Sequence, residues 1–130
     1  MYECETEGVW IRVEPDYLDE ESDPDEGRFV WAYTIEIENR GEGTLQLVSR
    51  EWEITDSRGR IEIVRGDGVV GEQPVLRPGE SFRYTSGAPL GTSSGFMSGN
   101  YQMRREDGSR FAARIPSFSL DTPFDRPALH

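Results

Sequence analysis

The sequence predicts an all-β domain, a sandwich of seven to nine short antiparallel strands of the immunoglobulin or fibronectin III type. Apolar residues recur at every second position in several short segments, and clusters of Gly, Pro and Asp separate these segments. No stretch has the apolar spacing of an amphipathic helix. A closed small barrel is the main alternative, because it shares this pattern of strands and turns. The 130 residues suit one domain with a single core over about 9–120, followed by a loose tail over 121–130.

The first half of the core begins with a strand whose apolar residues Val9, Ile11 and Val13 lie on one face. Pro15 is expected to end this strand. An acidic loop follows over 16–27. The clearest strand in the sequence comes next, with five large apolar residues alternating with smaller or polar ones. We expect this strand to lie at the centre of a half-buried sheet; its apolar residues are Phe29, Trp31, Tyr33, Ile35 and Ile37.

The next strand changes its alternation partway along. Leu45 and Leu47 have one parity, whereas Trp52 and Ile54 have the other, so a constant register cannot bury all four. The sequence therefore predicts a β-bulge or kink over 48–51. A turn over 56–59 and a short strand over 60–64 follow.

Three glycines with the spacing G-x-G-x-x-G come after that strand, at Gly66, Gly68 and Gly71. In dinucleotide-binding folds this spacing opens a helix, but Pro74 and Pro78 follow too closely for a long helix here. The glycines are therefore expected in a loop between strands.

The second half of the chain continues the strand pattern. A Pro-Gly turn over 77–80 precedes a strand over 81–85 that buries Phe82 and Tyr84, and a long connection is expected over 86–95. A hairpin at 106–109, marked by Asp-Gly, joins the last two strands. Their shared apolar faces are Met97, Gly99, Tyr101 and Met103, then Phe111, Ala113 and Ile115, extended by Phe118 and Leu120.

Charge and composition exclude several classes of function. The net charge is −11 and all 14 basic residues are arginines, which opposes binding to nucleic acid or to an anionic membrane. No apolar run is long enough to span a membrane, and the N-terminus has no signal-peptide pattern. Together with the single cysteine, Cys4, this favours a cytoplasmic protein without membrane insertion.

The sequence contains no recognisable catalytic constellation, so we expect a protein that is not an enzyme. The only histidine, His130, argues against His-dependent triads and metal sites. The acidic residues of 16–26 match no calcium-loop spacing and are expected to be solvated, so we predict no metal site. Cys4 lies between Glu3 and Glu5, which raise the pKa of its thiol and disfavour a nucleophile.

Two local features leave alternatives open. The backbone N–H groups of the glycine loop could form an anion-binding nest for pyrophosphate, with Arg65 as the charge partner of Gly66, Gly68 and Gly71. The same glycines could instead supply positive φ angles in a bent crossover. Trp10 falls opposite the apolar face of its strand, so it either packs beneath the long loops, which we favour, or is exposed as a partner contact.

The sequence resembles the ApaG family of bacterial proteins over nearly the whole chain, from Val9 to about Thr122. Six stretches carry the resemblance, and together they are specific. They are G-R-F-V-W-A-Y-T-I from Gly27, L-V-S-R-E-W from Leu47, G-D-G-V-V-G-E-Q-P-V-L from Gly66, Y-T-S-G from Tyr84, G-N-Y-Q-M from Gly99, and I-P-S-F-S-L from Ile115.

The resemblance implies a fibronectin III-like sandwich and an association with cobalt resistance and magnesium efflux. Domains similar to it in eukaryotic F-box proteins and in a polymerase-delta-interacting protein look like interaction modules. Pyrophosphate or nucleotide binding by the glycine motif has been proposed for the family, and it would map here to Gly66, Gly68 and Gly71. Glu51 stands where the family usually has a histidine before the motif's tryptophan.

These observations lead to a main hypothesis and two alternatives. The main hypothesis is a non-enzymatic binding module that recognises a protein partner, needs no cofactor, and could form a homodimer through an edge strand. The first alternative is a sensor that binds Mg-bound pyrophosphate or a nucleotide at Gly66–Gly71. The weakest is an enzyme acting on phosphate anhydrides, because the chain offers no evident general base.

Overall fold

Nine strands form two antiparallel sheets that pack face to face, in a computed structural model that describes residues 2–124. The four-stranded sheet has the order β1-β2-β3-β7, from Tyr2–Thr6, Val9–Tyr17, Phe29–Asn39 and Ser81–Leu90. The other sheet has the order β5-β4-β8-β9, from Ile61–Asp67, Leu45–Asp56, Gly95–Arg105 and Arg110–Leu120, and β6 (Val75–Leu76) also pairs with β4. The predicted all-β sandwich is confirmed, and two separate sheets replace the alternative of a closed barrel.

The predicted central strand, β3, lies inside the four-stranded sheet between β2 and β7. All five of its alternating apolar side chains are buried, as the sequence predicts. A single turn of 3-10 helix over Pro24–Glu26 is the one helical element of residues 2–124. No helix in this part of the chain has the length and hydropathy needed to cross a membrane.

Strand β2 continues through Pro15 to Tyr17, so the prediction that Pro15 ends the strand is wrong. Arg40 N donates to Gly8 O, so these two residues form a hydrogen-bonded pair at the end of the ladder between β2 and β3. Such pairs alternate with non-bonded ones along an antiparallel ladder, so the nitrogen of Pro15 points away from β3, toward β1. The pairing with β1 reaches only as far as Val13. The missing N–H of Pro15 therefore costs no ladder hydrogen bond, and the predicted loop begins two residues later than expected.

Strand β1 has no counterpart in the prediction, because Glu3 and Glu5 interrupt any apolar pattern. Its side chains instead bond to the edge of β9 in the opposite sheet. Arg114 N donates to Thr6 Oγ1 at 3.2 Å, and Cys4 Sγ donates to Arg114 O at 2.9 Å. These bonds join the two sheets along one flank of the sandwich.

The predicted β-bulge is confirmed in β4, where the register against β8 shifts between Leu47 and Ser49. The shift returns Trp52 to the buried face. There its ring lies 5.3 Å from that of Tyr33 and 5.9 Å from that of Phe118, measured between centroids. These three rings come from β3, β4 and β9, so the bulge supplies the contact between the two sheets at their centre.

Strand β7 extends to Leu90, so most of the predicted connection over 86–95 is strand. Asn39 N donates to Glu80 O, so every second residue of β7 counted from Glu80 is hydrogen-bonded to β3. The backbone groups of Gly87 and Pro89 fall between these positions and point away from β3. A proline is tolerated at such an outward position of an edge strand. The turns at 56–59, 77–80 and 106–109 form as predicted.

Trp10 lies on the outward face of β2, half-buried beneath an arginine rather than beneath the long loops. The Arg40 guanidinium carbon is 4.3 Å from the centre of the Trp10 ring, and Arg40 also pairs with Glu38 and Glu5. This is a surface cation–π contact inside a group of charges. Neither expectation for Trp10 describes its position, because its ring packs against Arg40 within a local network of ion pairs.

The start of the predicted tail contacts the four-stranded sheet. Trp31 Nε1 donates to Asp121 O at 2.8 Å, and the ring of Phe124 lies 6.0 Å from that of Tyr17. Residues 125–130, which include His130, lie outside the described residues.

Candidate functional site

The glycine motif forms the end of one strand and a tight turn. Gly66 lies within β5, and the chain then reverses at residues 69–72, where Val69 and Glu72 exchange two backbone hydrogen bonds. Val70 and Gly71 occupy the centre of this turn with φ of +44° and +80°. Two positive φ angles are typical of a type I′ turn, in which glycine is favoured at the second position.

Most of the amide donors in this turn are already used within the protein. Gly68 N donates to Val48 O at 2.8 Å, and Val69 and Glu72 N donate to each other's carbonyl oxygens. The Val69 side chain is completely buried in the core. The turn therefore packs its Val69 side chain into the core. It does not have the geometry of an anion nest, because such a nest needs several N–H donors that are open to a ligand.

Arg50 is a residue of this site that the sequence analysis missed. Its Nη1 donates to Asp67 O at 3.0 Å and to Gly68 O at 2.9 Å, and its guanidinium covers Gly66. A Cβ atom at position 66 would lie only 2.7–2.9 Å from the guanidinium atoms. The predicted bulge could have revealed this role of Arg50. It places Arg50 on the same face as the buried Trp52, where a charged side chain needs hydrogen-bond partners.

Arg65 precedes Gly66 within β5, and its side chain is paired within the protein. Its Nε lies 2.8 Å from Glu51 Oε2, and this hydrogen bond raises the pKa of the Arg65 guanidinium. Arg50, Glu51, Arg65 and Gly66 line a shallow groove of about 290 Å³, whereas Gly68 and Gly71 do not line it. The groove's other lining residues are Ser49, Asp67, Asn100 and Gln102.

The outer face of the five-stranded sheet has an apolar end, which we call the apolar patch and define as Ile61, Ile63 and Phe96. Their side chains are 59%, 47% and 49% exposed. Thr55 of β4 pairs with Ile61 on one side and with Phe96 on the other, and it is only 8% exposed. Large exposed apolar side chains that adjoin in this way mark surfaces for protein contact.

Three tyrosines lie behind Arg50 in the core. Tyr84 OH and Tyr101 OH are hydrogen-bonded to each other, and burial raises the pKa of both phenols and of Tyr33. A raised phenol pKa keeps these side chains neutral at physiological pH, so they act as hydrogen-bonded core residues.

The thiol of Cys4 also has a raised pKa, as predicted, although burial is the main cause rather than the neighbouring carboxylates. The thiol donates to a backbone carbonyl of β9, a structural use. Within residues 2–124, no group of three or more His, Cys, Asp or Glu side chains is placed to hold a metal ion.

The fold and these surfaces define a fibronectin III-like β-sandwich module. Residues 19–105 match the family described as the ApaG domain. A Protein ApaG from Maricaulis maris is 67% identical over the full length of both chains, and one from Rhodospirillum centenum is 56% identical over 97% of each. The chain belongs to the ApaG family.

Solved structures agree with this assignment. A crystal structure of an ApaA protein from Bordetella pertussis superposes with a TM-score of 0.87 at 43% identity, covering 96% of this chain and all of that one. The C-terminal domain of wzt, at 13% identity and a TM-score of 0.56, shares the fold. The resemblance proposed from the sequence motifs is thereby confirmed.

Proposed function

We propose that the chain is a non-enzymatic binding module that recognises a protein partner through the apolar patch. The observation that carries this proposal is the exposure of Ile61, Ile63 and Phe96 on one solvent-facing sheet surface, with Ile61 and Phe96 on either side of Thr55. A partner that covered them would remove three large side chains from water, which is the main source of affinity in protein complexes.

The proposal extends to the cellular role that the family resemblance implies. We propose that the domain supports cobalt resistance and magnesium efflux by binding a protein of that system. The chain charge of −11 would attract a partner of net positive charge over long range, although the segment that carries Ile61 and Ile63 is itself close to neutral.

A growth assay in the bacterium that encodes the chain tests this function. A strain lacking the gene is complemented with the wild type or with Phe96→Ser, and growth is measured in increasing cobalt. We expect the wild type to restore tolerance and Phe96→Ser to leave the strain as sensitive as the deletion. Truncating a central apolar contact commonly weakens a complex by about 2 kcal/mol, or about 30-fold in affinity.

Val75→Ser is the matched control for this assay. Val75 is 57% exposed on the same sheet, but it pairs with Gln46 at the opposite end of β4. We expect Val75→Ser to restore tolerance, with thermal denaturation showing that both variants are folded. Full cobalt tolerance with Phe96→Ser would contradict the proposed role of the patch.

Binding of pyrophosphate or a nucleotide is the second candidate function, and the groove beside Gly66, with Arg65 on its wall, favours it. A phosphate in this groove would meet the Arg65 guanidinium, a strong donor, whereas the Arg50 side chain points to the opposite face of the sheet and donates to Asp67 O and Gly68 O. Glu51 opposes this by occupying Arg65, as do the engaged amides of the turn. Mg²⁺ carried by the ligand would offset the acidic surroundings.

An amide NMR titration with pyrophosphate, with and without Mg²⁺, tests the second candidate. We expect saturable shifts over residues 65–71 in the wild type and a weaker response in Arg65→Gln. A spectrum unchanged at about 1 mM pyrophosphate would mean that any association is weaker than the weakest useful affinities, and it would remove this candidate.

A further inference from the structure

One edge of β5 is open over residues 61–65. Among the described residues, β5 pairs with β4 alone. Asp56 N donates to Arg60 O and Gly68 N donates to Val48 O, which fixes the alternation of hydrogen bonds between these strands. The N–H and C=O groups of Ile61, Ile63 and Arg65 therefore point away from β4, toward the open edge.

The other long edges of the sandwich are less suited to pairing. Side chains of β1 bond to the edge of β9, including Tyr2 OH, which accepts from Ser119 N. The outward positions of β7 include Pro89, which has no N–H to donate. By contrast, β5 combines outward backbone groups with two exposed isoleucines, the features that allow one sheet to add to another.

We propose that a second copy of the chain binds this edge, with β5 pairing antiparallel to β5 of the second copy about a two-fold axis at Ile63. The two five-stranded sheets then become one continuous sheet across the axis. This proposal goes beyond the proposed function, because it concerns the edge of the sheet and a self-contact rather than a different protein on its face.

Charge and side-chain pairing suit this register and disfavour those centred on Glu62 and Arg65. With the axis at Ile63, the two Ile63 side chains face each other, Ile61 faces Arg65 of the other copy, and Glu62 faces Val64. Moving the axis one residue to Glu62 would place two glutamates opposite each other, and an axis at Arg65 would do the same with two arginines. The register at Ile63 joins apolar residues and opposes no like charges.

Local charge opposes a second copy only weakly at this edge, although the chain as a whole is strongly acidic. Residues 57–68 contain three arginines (Arg58, Arg60 and Arg65) against Glu62 and Asp67, so this segment carries a formal charge of 3 − 2 = +1 in a chain of −11. Two copies therefore meet at one of their least acidic surfaces. Repulsion between their remaining charges should be screened by salt, so the dimer should strengthen as ionic strength rises.

Sedimentation velocity on the purified full chain tests the association. We expect the apparent mass of the wild type to rise with protein concentration from the 14.8 kDa of one chain toward twice that value. The rise should occur at lower concentration in higher salt. Ile63→Lys should remain at the mass of one chain, while Phe96→Lys, which lies two strands from the edge, should still dimerise. A wild-type mass that stays at one chain up to about 1 mM would overturn the proposal.

Disulfide trapping tests the register independently. Cys4 is replaced by serine, which removes the only native thiol, and a cysteine is introduced by Ile63→Cys or, as the matched control, by Ile61→Cys. Only residues on the two-fold axis face their own copies, so mild oxidation should join Ile63→Cys chains at least 10-fold faster than Ile61→Cys chains. Equal rates, or faster joining of Ile61→Cys, would overturn the register centred on Ile63.

Discussion

Replacement of Gly68 by alanine is expected to lower the free energy of unfolding by about 3 kcal/mol. Gly68 has a φ of +60°, a conformation that strains other residues, and a Cβ atom there would overlap the carbonyl oxygen of Glu72. That oxygen accepts the hydrogen bond that closes the turn and holds Val69 in the core. Urea denaturation followed by tryptophan fluorescence measures the loss.

Gly71→Ala is the matched control for this prediction. Gly71 has a φ of +80°, but a Cβ atom there would meet no atom within 4 Å. We therefore expect only the backbone penalty, about 1 kcal/mol. Equal losses for the two variants would show that close packing at Gly68 is not what requires glycine there.

Replacement of Trp52 by alanine is expected to cost about 4 kcal/mol. The indole is 3% exposed and contacts the rings of Tyr33 and Phe118, so its removal opens a cavity between the two sheets. Strands β3 and β4 are hydrogen-bonded on both sides and can relax only partly into the space. The same denaturation experiment measures this loss, and near-UV circular dichroism reports the lost aromatic packing.

Trp10→Ala provides the comparison at the surface. Trp10 is half-buried on the outward face and contacts mainly the Arg40 guanidinium, so its removal should cost about 1 kcal/mol or less. If the two tryptophan variants were equally destabilised, the burial of Trp52 by the β4 bulge could not be the dominant cause.

Much of the sandwich could be predicted because burial on one face imposes a period of two. The strand β3 follows this rule throughout, and the broken parity between Leu47 and Trp52 was enough to predict the bulge. What the sequence did not reveal was which stretches of strand have no neighbour on one side. Pro15 was expected to end a strand and Pro89 to lie in a long connection, because a single sequence does not show whether a backbone nitrogen points toward a neighbour.

The candidate site was predictable only in part, because it depends on groups far apart in sequence. Gly68 and Gly71 lie between strands as predicted, whereas Gly66 lies within β5. The hydrogen bond of Gly68 to Val48 and the cover of Gly66 by Arg50 follow from the pairing of β4 with β5. Arg65 was expected to be available to an anion, and its partner Glu51 lies 14 positions earlier in the chain. The apolar patch likewise joins residues of β5 and β8, which are separated by more than 30 positions.

The contact of β1 with β9 has a consequence for the order of assembly. Cys4 bonds to Arg114 and Tyr2 to Ser119, pairs that are 110 and 117 residues apart. During synthesis, the side chains of β1 emerge well before the backbone groups that they will bond. One flank of the sandwich therefore stays open until β9 has left the ribosome, and the last native contacts form between the oldest and the newest parts of the described chain.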